Sequence, residues 1–353
     1  RQDQLFVWLP KHRALMPGDN IYRTFPNLYT IRGTPHRDVK SWIESLDRMR
    51  ALNPDYLLPS HTKALTGETI METLTIYRDA IQYVHDQTIR LMNKGHSADE
   101  ISNMIQLPPE LSSSPFVREF YGTVRWSVKS IFNGYLGWFD GNVSNLDPLP
   151  SEDYAKRLAA LSGGEKKLFE ALEKAILDED MQWGLQLSDS LLALNYETES
   201  TNKLRQKAIQ HIGDRALNPN KRNYFLSSAN ELNPNYRAQP LLPQTSELLS
   251  EISIDMFFDI LSVRLNPEET KGILQRVCFE FDSGNIKTIT LRNRIAEISS
   301  ESKNCDIRVK TSEQIFKEAL AGVRNPLIAV ASGDIDTGGQ RTNFLAFLSK
   351  FAE

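Results

Sequence analysis

Seven residues between positions 70 and 91 recur at alternating spacings of four and three, namely Ile70, Leu74, Tyr77, Ile81, Val84, Thr88 and Leu91. This periodicity predicts one amphipathic helix that starts near residue 68 and stops at Gly95. At about 1.5 Å per residue the helix would exceed ~30 Å, so we expect it to pack against partner helices. It divides the chain, because the sequence before it follows a different pattern.

Residues 5–62 alternate short apolar runs with turn residues. The runs predict a strand over 5–10, a strand over 13–18, a strand-like segment over 27–33, a helix over 37–52 and a short strand over 55–58. This order is typical of an α/β layer. Because the first apolar run starts so close to Arg1, we expect 1–67 to be the end of a larger α/β domain and the chain to be the C-terminal portion of a longer protein.

The sequence from 68 to 233 predicts helices alone. Ser97 and Glu100 form a capping-box pattern, and further helical patterns follow in hairpins as far as residue 233. We therefore expect an all-α domain after the α/β segment.

The stretch 234–245 is rich in proline and is predicted to be a linker. Beyond it, 246–353 predicts a separate α+β domain. An amphipathic helix is expected over 247–265, followed by three or four strands with a hairpin turn at 282–285, and by closing helices.

Composition excludes two classes of function. The net charge is -4 with basic residues spread along the chain, so no nucleic-acid partner is expected. No apolar stretch approaches the roughly 20 residues of a membrane-spanning helix, so no membrane span is predicted. The two cysteines, Cys278 and Cys305, belong to no CxxC or His-rich cluster, which favours core thiols or one disulfide over metal ligands.

Two side chains follow predicted strands directly. Asp19 comes after the strand 13–18, and His61 lies in a Pro-Ser-His-Thr turn after the strand 55–58. Because neighbouring strands lie about 5 Å apart, a carboxylate and an imidazole at their ends can bind one cation. The alternative is that Asp19 caps a turn and His61 bonds to a loop backbone.

Longer motifs carry a family resemblance. HRALMPGDNIY at 12–22 and DYLLPSHT at 55–62 resemble the last two metal-ligand motifs of the metallo-β-lactamase superfamily. FPNLYTIRG at 25–33 and YGTVRWSVKSIFNGYLGWFDGN at 121–142 are similar to the alkyl sulfatases of that fold, which hydrolyse alkyl sulfate detergents. The resemblance covers essentially the whole chain. It implies the α/β tail of a metallo-β-lactamase αββα domain, an all-α helical dimerisation domain and an α+β sterol-carrier-protein-like domain.

The resemblance also implies a site. It assigns Asp19 and His61 to a binuclear Zn²⁺ centre whose activated water, rather than a side chain, is the nucleophile. It assigns Asn27 and Arg32 to the sulfate group and Tyr135 to the substrate pocket. The implied substrate is an amphiphilic small molecule, a sulfate ester of a hydrophobic alcohol, and the implied assembly is a homodimer. Bacterial members are often exported, which favours a periplasmic or secreted protein while leaving the compartment open.

The chain departs from the family pattern in ways that keep alternatives open. The HxHxDH motif, which supplies most of the superfamily's metal ligands, does not occur in the chain. We therefore expect an upstream segment or a second polypeptide to complete the catalytic domain. Trp126 and Ser127 stand where the family has a His-Asn pair. The alternatives are a hydrolase of another ester on the same fold, and a non-catalytic dimerisation and lipid-binding fragment.

Overall fold

A computed structural model describes residues 5–237 and 245–351, and the chain divides into two compact units, 1–237 and 238–353. The strands of the first unit are β1 (Val7–Leu9), β2 (Ala14–Met16), β3 (Tyr56–Leu57) and β4 (Leu65–Thr66). Its helices are α1 (Val39–Ala51), α2 (Thr69–Met92), α3 (Ala98–Met104), α4 (Pro109–Ser112), α5 (Val124–Leu136), α6 (Ser151–Ser162), α7 (Glu165–Leu177), α8 (Met181–Ala193), α9 (Thr198–Arg215) and α10 (Pro219–Glu231). None of the helices in the described ranges combines the length and the apolar character that a bilayer crossing requires.

The first sheet is mixed and has the order β1-β2-β3-β4. The central pair, β2 and β3, is parallel, with Leu15 opposite Leu57, whereas the two outer pairs are antiparallel. A parallel pair requires a crossover, which here contains α1.

The strand-like assignment of 27–33 was wrong. This segment forms turns and irregular structure between β2 and α1. Nearby backbone groups pair with a distant loop instead of a sheet, because the Phe25 N–H donates to the Arg118 carbonyl at 2.7 Å and the Gly122 N–H donates to the Phe25 carbonyl at 3.1 Å. Gly122 is needed there, since a Cβ would lie 1.9 Å from the Pro26 carbonyl oxygen.

The predicted long helix is confirmed as α2, and it lies at the centre of one hydrophobic core. Trp42 and Leu46 of α1, Leu74 and Tyr77 of α2 and Val128 of α5 are all buried in that core. The core therefore extends across the boundary predicted at 67/68. The predicted domain boundaries themselves stay predictions.

The helices after residue 150 follow one another as hairpins, as their spacing predicted. Their core contains Leu168 and Leu172 of α7 together with Leu187 and Leu191 of α8. Burying a leucine side chain contributes roughly 1.5–3 kcal/mol, so this layer has its own source of stability.

The second unit is an α+β fold. Its elements are α11 (Ser246–Ser250), α12 (Ile254–Arg264), β5 (Gln275–Phe281), β6 (Ile286–Arg292), β7 (Ile295–Ser299), β8 (Ile307–Thr311), α13 (Glu313–Leu320), α14 (Pro326–Ser332) and α15 (Arg341–Leu348). The sheet order is β7-β6-β5-β8. The hairpin turn predicted at 282–285 is present between β5 and β6. The single helix predicted over 247–265 was wrong, because Ser253 accepts a hydrogen bond from the Met256 N–H and starts a new helix.

Two features join the elements of the second unit. Cys278 of β5 and Cys305, which precedes β8, form a disulfide with their Cα atoms 5.8 Å apart. Phe258 of α12 stacks on Phe316 of α13, with 5.1 Å between ring centroids, and meets Phe279 of β5 edge-on at 5.4 Å. Of the alternatives left open for the cysteines, the disulfide is therefore the one observed.

Candidate metal centre

Asp19 and His61 lie at the same edge of the first sheet. Since β2 and β3 are parallel, the turns that follow them leave the sheet at the same end. There Asp19 Oδ1 and His61 Nε2 are 3.0 Å apart. The structure thus brings together the two side chains that the sequence predicted to converge.

The turn that carries Asp19 is held from two sides. Gly18 has a φ of +58°, a left-handed conformation that glycine adopts without steric cost. The Asn20 side chain donates to the Pro17 carbonyl at 2.8 Å, and the Trp42 indole N–H of α1 donates to the Asn20 carbonyl at 2.8 Å. The carboxylate is therefore positioned by the core helix as well as by its own loop.

A cavity of about 390 Å³ opens beside the Asp19–His61 pair. Its lining combines charged, polar and aromatic side chains, which are Asp19, Tyr22, Arg23, Thr24, Arg37, Trp42, His61, Thr62 and Tyr121. The volume is within the range of small-molecule sites, which is about 300–1,000 Å³. Two guanidinium groups among the lining side chains suit the cavity to an anionic ligand.

Two buried polar atoms at or next to this cavity, Asn27 Oδ1 and Thr62 Oγ1, have no hydrogen-bond partner among the described residues. Thr62 lines the cavity, and the backbone of Asn27 hydrogen-bonds two lining residues, Tyr22 and Arg37. A buried polar atom without a partner costs about 1–3 kcal/mol, so their clustering marks a region organised for polar contacts rather than for stability.

Tyr22 contributes a neutral hydroxyl to the lining. Burial raises the pKa of Tyr22 far above its ordinary value, despite the hydrogen bond that its oxygen accepts from the Asn27 N–H at 3.2 Å. Its ring meets Tyr121 edge-on with 5.6 Å between centroids. The phenol therefore stays protonated and can donate to an acceptor in the cavity.

The two residues predicted to bind sulfate occupy different environments. Asn27 is buried at 2% exposure, whereas Arg32 is exposed and its Nη2 lies 3.5 Å from the Tyr121 hydroxyl. Arg32 does not line the cavity, but Arg23 and Arg37 do. Sequence reasoning missed these two arginines, because nothing in the local pattern separates them from Arg32.

Tyr135 is placed elsewhere, on α5, and is not among the residues that line the cavity. Its hydroxyl is 2.9 Å from His85 Nε2. Trp126 and Ser127 lie in the first turn of the same helix, where the Trp126 N–H donates to the Thr123 hydroxyl at 3.1 Å and the Ser127 hydroxyl donates to the Thr123 carbonyl at 2.7 Å. Trp126 and Ser127 therefore offer local capping contacts and no imidazole.

Asp19 and His61 suit a zinc ion as two of its ligands. Zinc takes imidazole nitrogen and carboxylate oxygen at about 2.0–2.2 Å, so two ligands of one tetrahedral ion lie about 3.3 Å apart. The observed separation of 3.0 Å is close to this value. Within 5–237 and 245–351 no cluster of three or more His, Cys, Asp or Glu side chains is arranged to hold a metal. A closed site would therefore need further donors.

Two regions of the chain match known protein families. Residues 97–235 match the family described as alkyl sulfatase dimerisation, and residues 243–353 match the one described as alkyl sulfatase C-terminal. These two regions include the helices α3 to α10 and all of the described second unit.

Individual relatives match over almost the entire chain. A linear primary-alkylsulfatase of a Pseudomonas species is 32% identical over 363 residues, covering 99% of this chain and 69% of the relative. An alkyl/aryl-sulfatase of Saccharomyces cerevisiae is 27% identical, covering 99% of this chain and 55% of the relative. The solved structure of the stereoselective inverting sec-alkylsulfatase Pisa1 from Pseudomonas superposes with a TM-score of 0.85 at 26% identity, over 97% of this chain and 56% of that one. This chain, which spans between 55% and 69% of these relatives, belongs to the alkyl sulfatase family.

Proposed function

We propose that this chain supplies part of the catalytic centre of a zinc-dependent alkyl sulfatase, with Asp19 and His61 as two of the metal ligands. The observation that carries the proposal is the 3.0 Å approach of these side chains at the ends of two parallel strands, beside a cavity lined by Arg23 and Arg37. The reaction is hydrolysis of a sulfate ester of a hydrophobic alcohol.

The chain's own residues would bind and orient the ester. Arg23 and Arg37 provide positive charge for the sulfate monoanion, and the protonated Tyr22 hydroxyl can donate to one of its oxygens. Asn27 and Arg32 remain proposed sulfate contacts. Zinc bound at Asp19 and His61 would supply water activation near neutral pH.

The remaining ligands of a binuclear centre must come from outside the described residues. We propose that they lie in an upstream segment, or in a second polypeptide, that carries an HxHxDH motif and completes a metallo-β-lactamase αββα domain. Support comes from the two unpartnered polar atoms at or next to the cavity and from the part of each relative's length that lies beyond this chain.

The other regions suggest an assembly and a compartment. The match of 97–235 to a dimerisation family supports a homodimer. We propose that the second unit is sterol-carrier-like and holds the alkyl chain of the substrate. The disulfide between Cys278 and Cys305 supports an oxidising compartment such as the periplasm or the exterior.

One preparation tests this proposal. Native protein would be purified without chelator, and its intact mass, its zinc content and its hydrolysis of dodecyl sulfate would be measured together. We expect zinc at about two ions per completed catalytic domain, with the HxHxDH motif on the same or a co-purifying polypeptide. A homogeneous protein without that motif, without zinc and without hydrolysis would favour the non-catalytic alternative.

The replacement of the family's imidazole favours a second candidate substrate class. Trp126 provides an apolar ring in place of a titratable group, so an ester other than an alkyl sulfate stays a specific alternative. Comparing the turnover of dodecyl sulfate with that of matched dodecyl phosphate and carboxylic esters would distinguish the two substrate classes. Faster turnover of the phosphate or carboxylic ester would replace the alkyl sulfatase proposal.

A further inference from the structure

Three titratable side chains, hydrogen-bonded one to the next, connect α2 to α5. Asp86 Oδ1 lies 2.8 Å from His85 Nδ1, and His85 Nε2 lies 2.9 Å from the Tyr135 hydroxyl. The Gln82 side chain donates to the second Asp86 oxygen at 2.9 Å. None of the three titratable residues lines the Asp19–His61 cavity.

The direction of each hydrogen bond follows from the state of Asp86. Partial burial acts to raise the pKa of Asp86, but hydrogen bonds from His85 and Gln82 outweigh it, so the pKa is lowered. An ionised carboxylate only accepts, so His85 Nδ1 must carry the proton. The neutral imidazole then presents an unprotonated Nε2, which accepts the Tyr135 O–H.

The exposure of these hydrogen-bonded side chains differs as an activated nucleophile requires, with a buried base and an accessible hydroxyl. His85 is buried at 5% exposure, while Tyr135 is 49% exposed. The base is thus shielded from water and the phenol is accessible to a ligand. The ring of His36 lies against Gly134 of the same helix, where a Cβ would lie 2.0 Å from His36 Cε1.

We propose that Asp86 and His85 activate Tyr135 as a nucleophile toward electrophilic esters, through a mechanism independent of the proposed zinc site. A hydroxyl, a base within about 2.6–3.2 Å and a third group that orients the base are the requirements for an activated nucleophile. In the step, the Tyr135 oxygen bonds to the acyl carbon of an aryl ester. The bond from that carbon to the aryl oxygen breaks, the aryloxide leaves, and the phenolic proton moves to His85 Nε2. Asp86 is a positioning residue that also stabilises the imidazolium.

The test uses the whole chain with 4-nitrophenyl acetate in the presence of a chelator. Release of 4-nitrophenol is followed by absorbance, and acetylation of each tyrosine is followed by peptide mass spectrometry. Tyr154 and Tyr224 are matched internal controls, since they are 57% and 56% exposed and form no hydrogen bond through the hydroxyl to another described residue. General-base assistance contributes about 100-fold or more, so Tyr135 should be acetylated at least ~100-fold faster than either control.

Three variants distinguish activation of the Tyr135 hydroxyl from its simple exposure to solvent. Tyr135→Phe should abolish the fast phase, and His85→Gln and Asp86→Asn should each slow acetylation of Tyr135 at least ~10-fold while Tyr154 is unaffected. Because His85 is buried, circular dichroism is recorded for each variant, and the half-exposed Asp86 provides the test if His85→Gln does not fold. Equal acetylation of the three tyrosines, or an unchanged Tyr135 rate in Asp86→Asn, would overturn the proposal. Absence of zinc binding would not affect this assay.

Discussion

The cavity of the first unit and the surroundings of Glu318 in the second unit treat their buried polar groups differently. At or next to the cavity, Asn27 and Thr62 each keep a buried polar atom without a partner among the described residues. In the second unit, Glu318 accepts hydrogen bonds from the Ser246 hydroxyl at 2.6 Å and from the Gln314 side chain at 3.0 Å, and pairs with an arginine. The comparison teaches that the first unit gives up stability beside its cavity, while the second unit satisfies the buried Glu318. The second unit is not satisfied throughout, since Arg264 Nε also lacks a partner among the described residues.

The two sheets also differ, in the length of their strands. The strands of the first sheet have two or three residues, whereas those of the second have five to seven. Short ladders contribute few backbone hydrogen bonds, so the first sheet depends on α1 and α2 for its position. The second sheet carries a disulfide and an aromatic cluster of its own. The following predictions test whether these differences affect the free energy of unfolding.

The largest effect is expected in the aromatic cluster of the second unit. Phe258→Ala should lower the free energy of unfolding by about 4 kcal/mol, because it removes a fully buried ring that contacts Phe279 and Phe316. Amide hydrogen exchange in β5 to β8 would measure the loss. Val263→Ala on the same helix is the control, being 82% exposed, and should change stability by less than about 0.5 kcal/mol. Equal effects would show that the cluster does not stabilise the unit.

The disulfide should contribute almost as much. Cys305→Ser opens a loop with a sequence separation of 27 residues, and loop-closure entropy predicts a loss of about 3.5 kcal/mol. Thermal melts of the variant and of the reduced parent chain should agree. A variant that melts with the oxidised parent would mean that the second unit derives no stability from this bond.

Sequence reasoning succeeded where the determinants were local. The apolar stripe of α2, the turn at 282–285 and the strand-end positions of Asp19 and His61 all follow from spacing within one or two elements. It failed for 27–33, because that segment's neighbours are held by a loop that begins at Arg118. No local pattern marks His85 as functional, because its partner Tyr135 is 50 positions away in the sequence.

A smaller loss is expected where two loops meet beside the cavity. Gly122→Ala would force a Cβ against the Pro26 carbonyl, which is backbone and cannot rotate away. We expect a loss of about 2 kcal/mol, within the usual range for overpacking, together with displaced Asn27 amide resonances. Leu161→Ala, at an 87% exposed site, is the control for substitution to alanine in this unit. An unchanged spectrum for Gly122→Ala would show that the loop contact does not position the site.

The smallest effect concerns acid stability of the second unit. Hydrogen bonds from Ser246 and Gln314, opposed by partial burial, lower the pKa of Glu318 below its usual value of 4.5. A lowered folded-state pKa means that the stabilisation is present above about pH 4.5 and is lost as the pH falls through the folded value. Glu318→Gln should therefore lower stability by about 1.5 kcal/mol at pH 7 and flatten its dependence on pH below 4.5. An unaltered pH profile would contradict the assignment of this network.

The most direct test of the central claim is a zinc titration of the chain followed by the imidazole resonances of His61 and of the exposed His12. We predict that zinc shifts His61 at lower concentration than His12, and that Asp19→Asn weakens the His61 response at least ~10-fold while leaving His12 unchanged. Equal responses of the two histidines, or an unaltered His61 response in Asp19→Asn, would contradict a shared metal site.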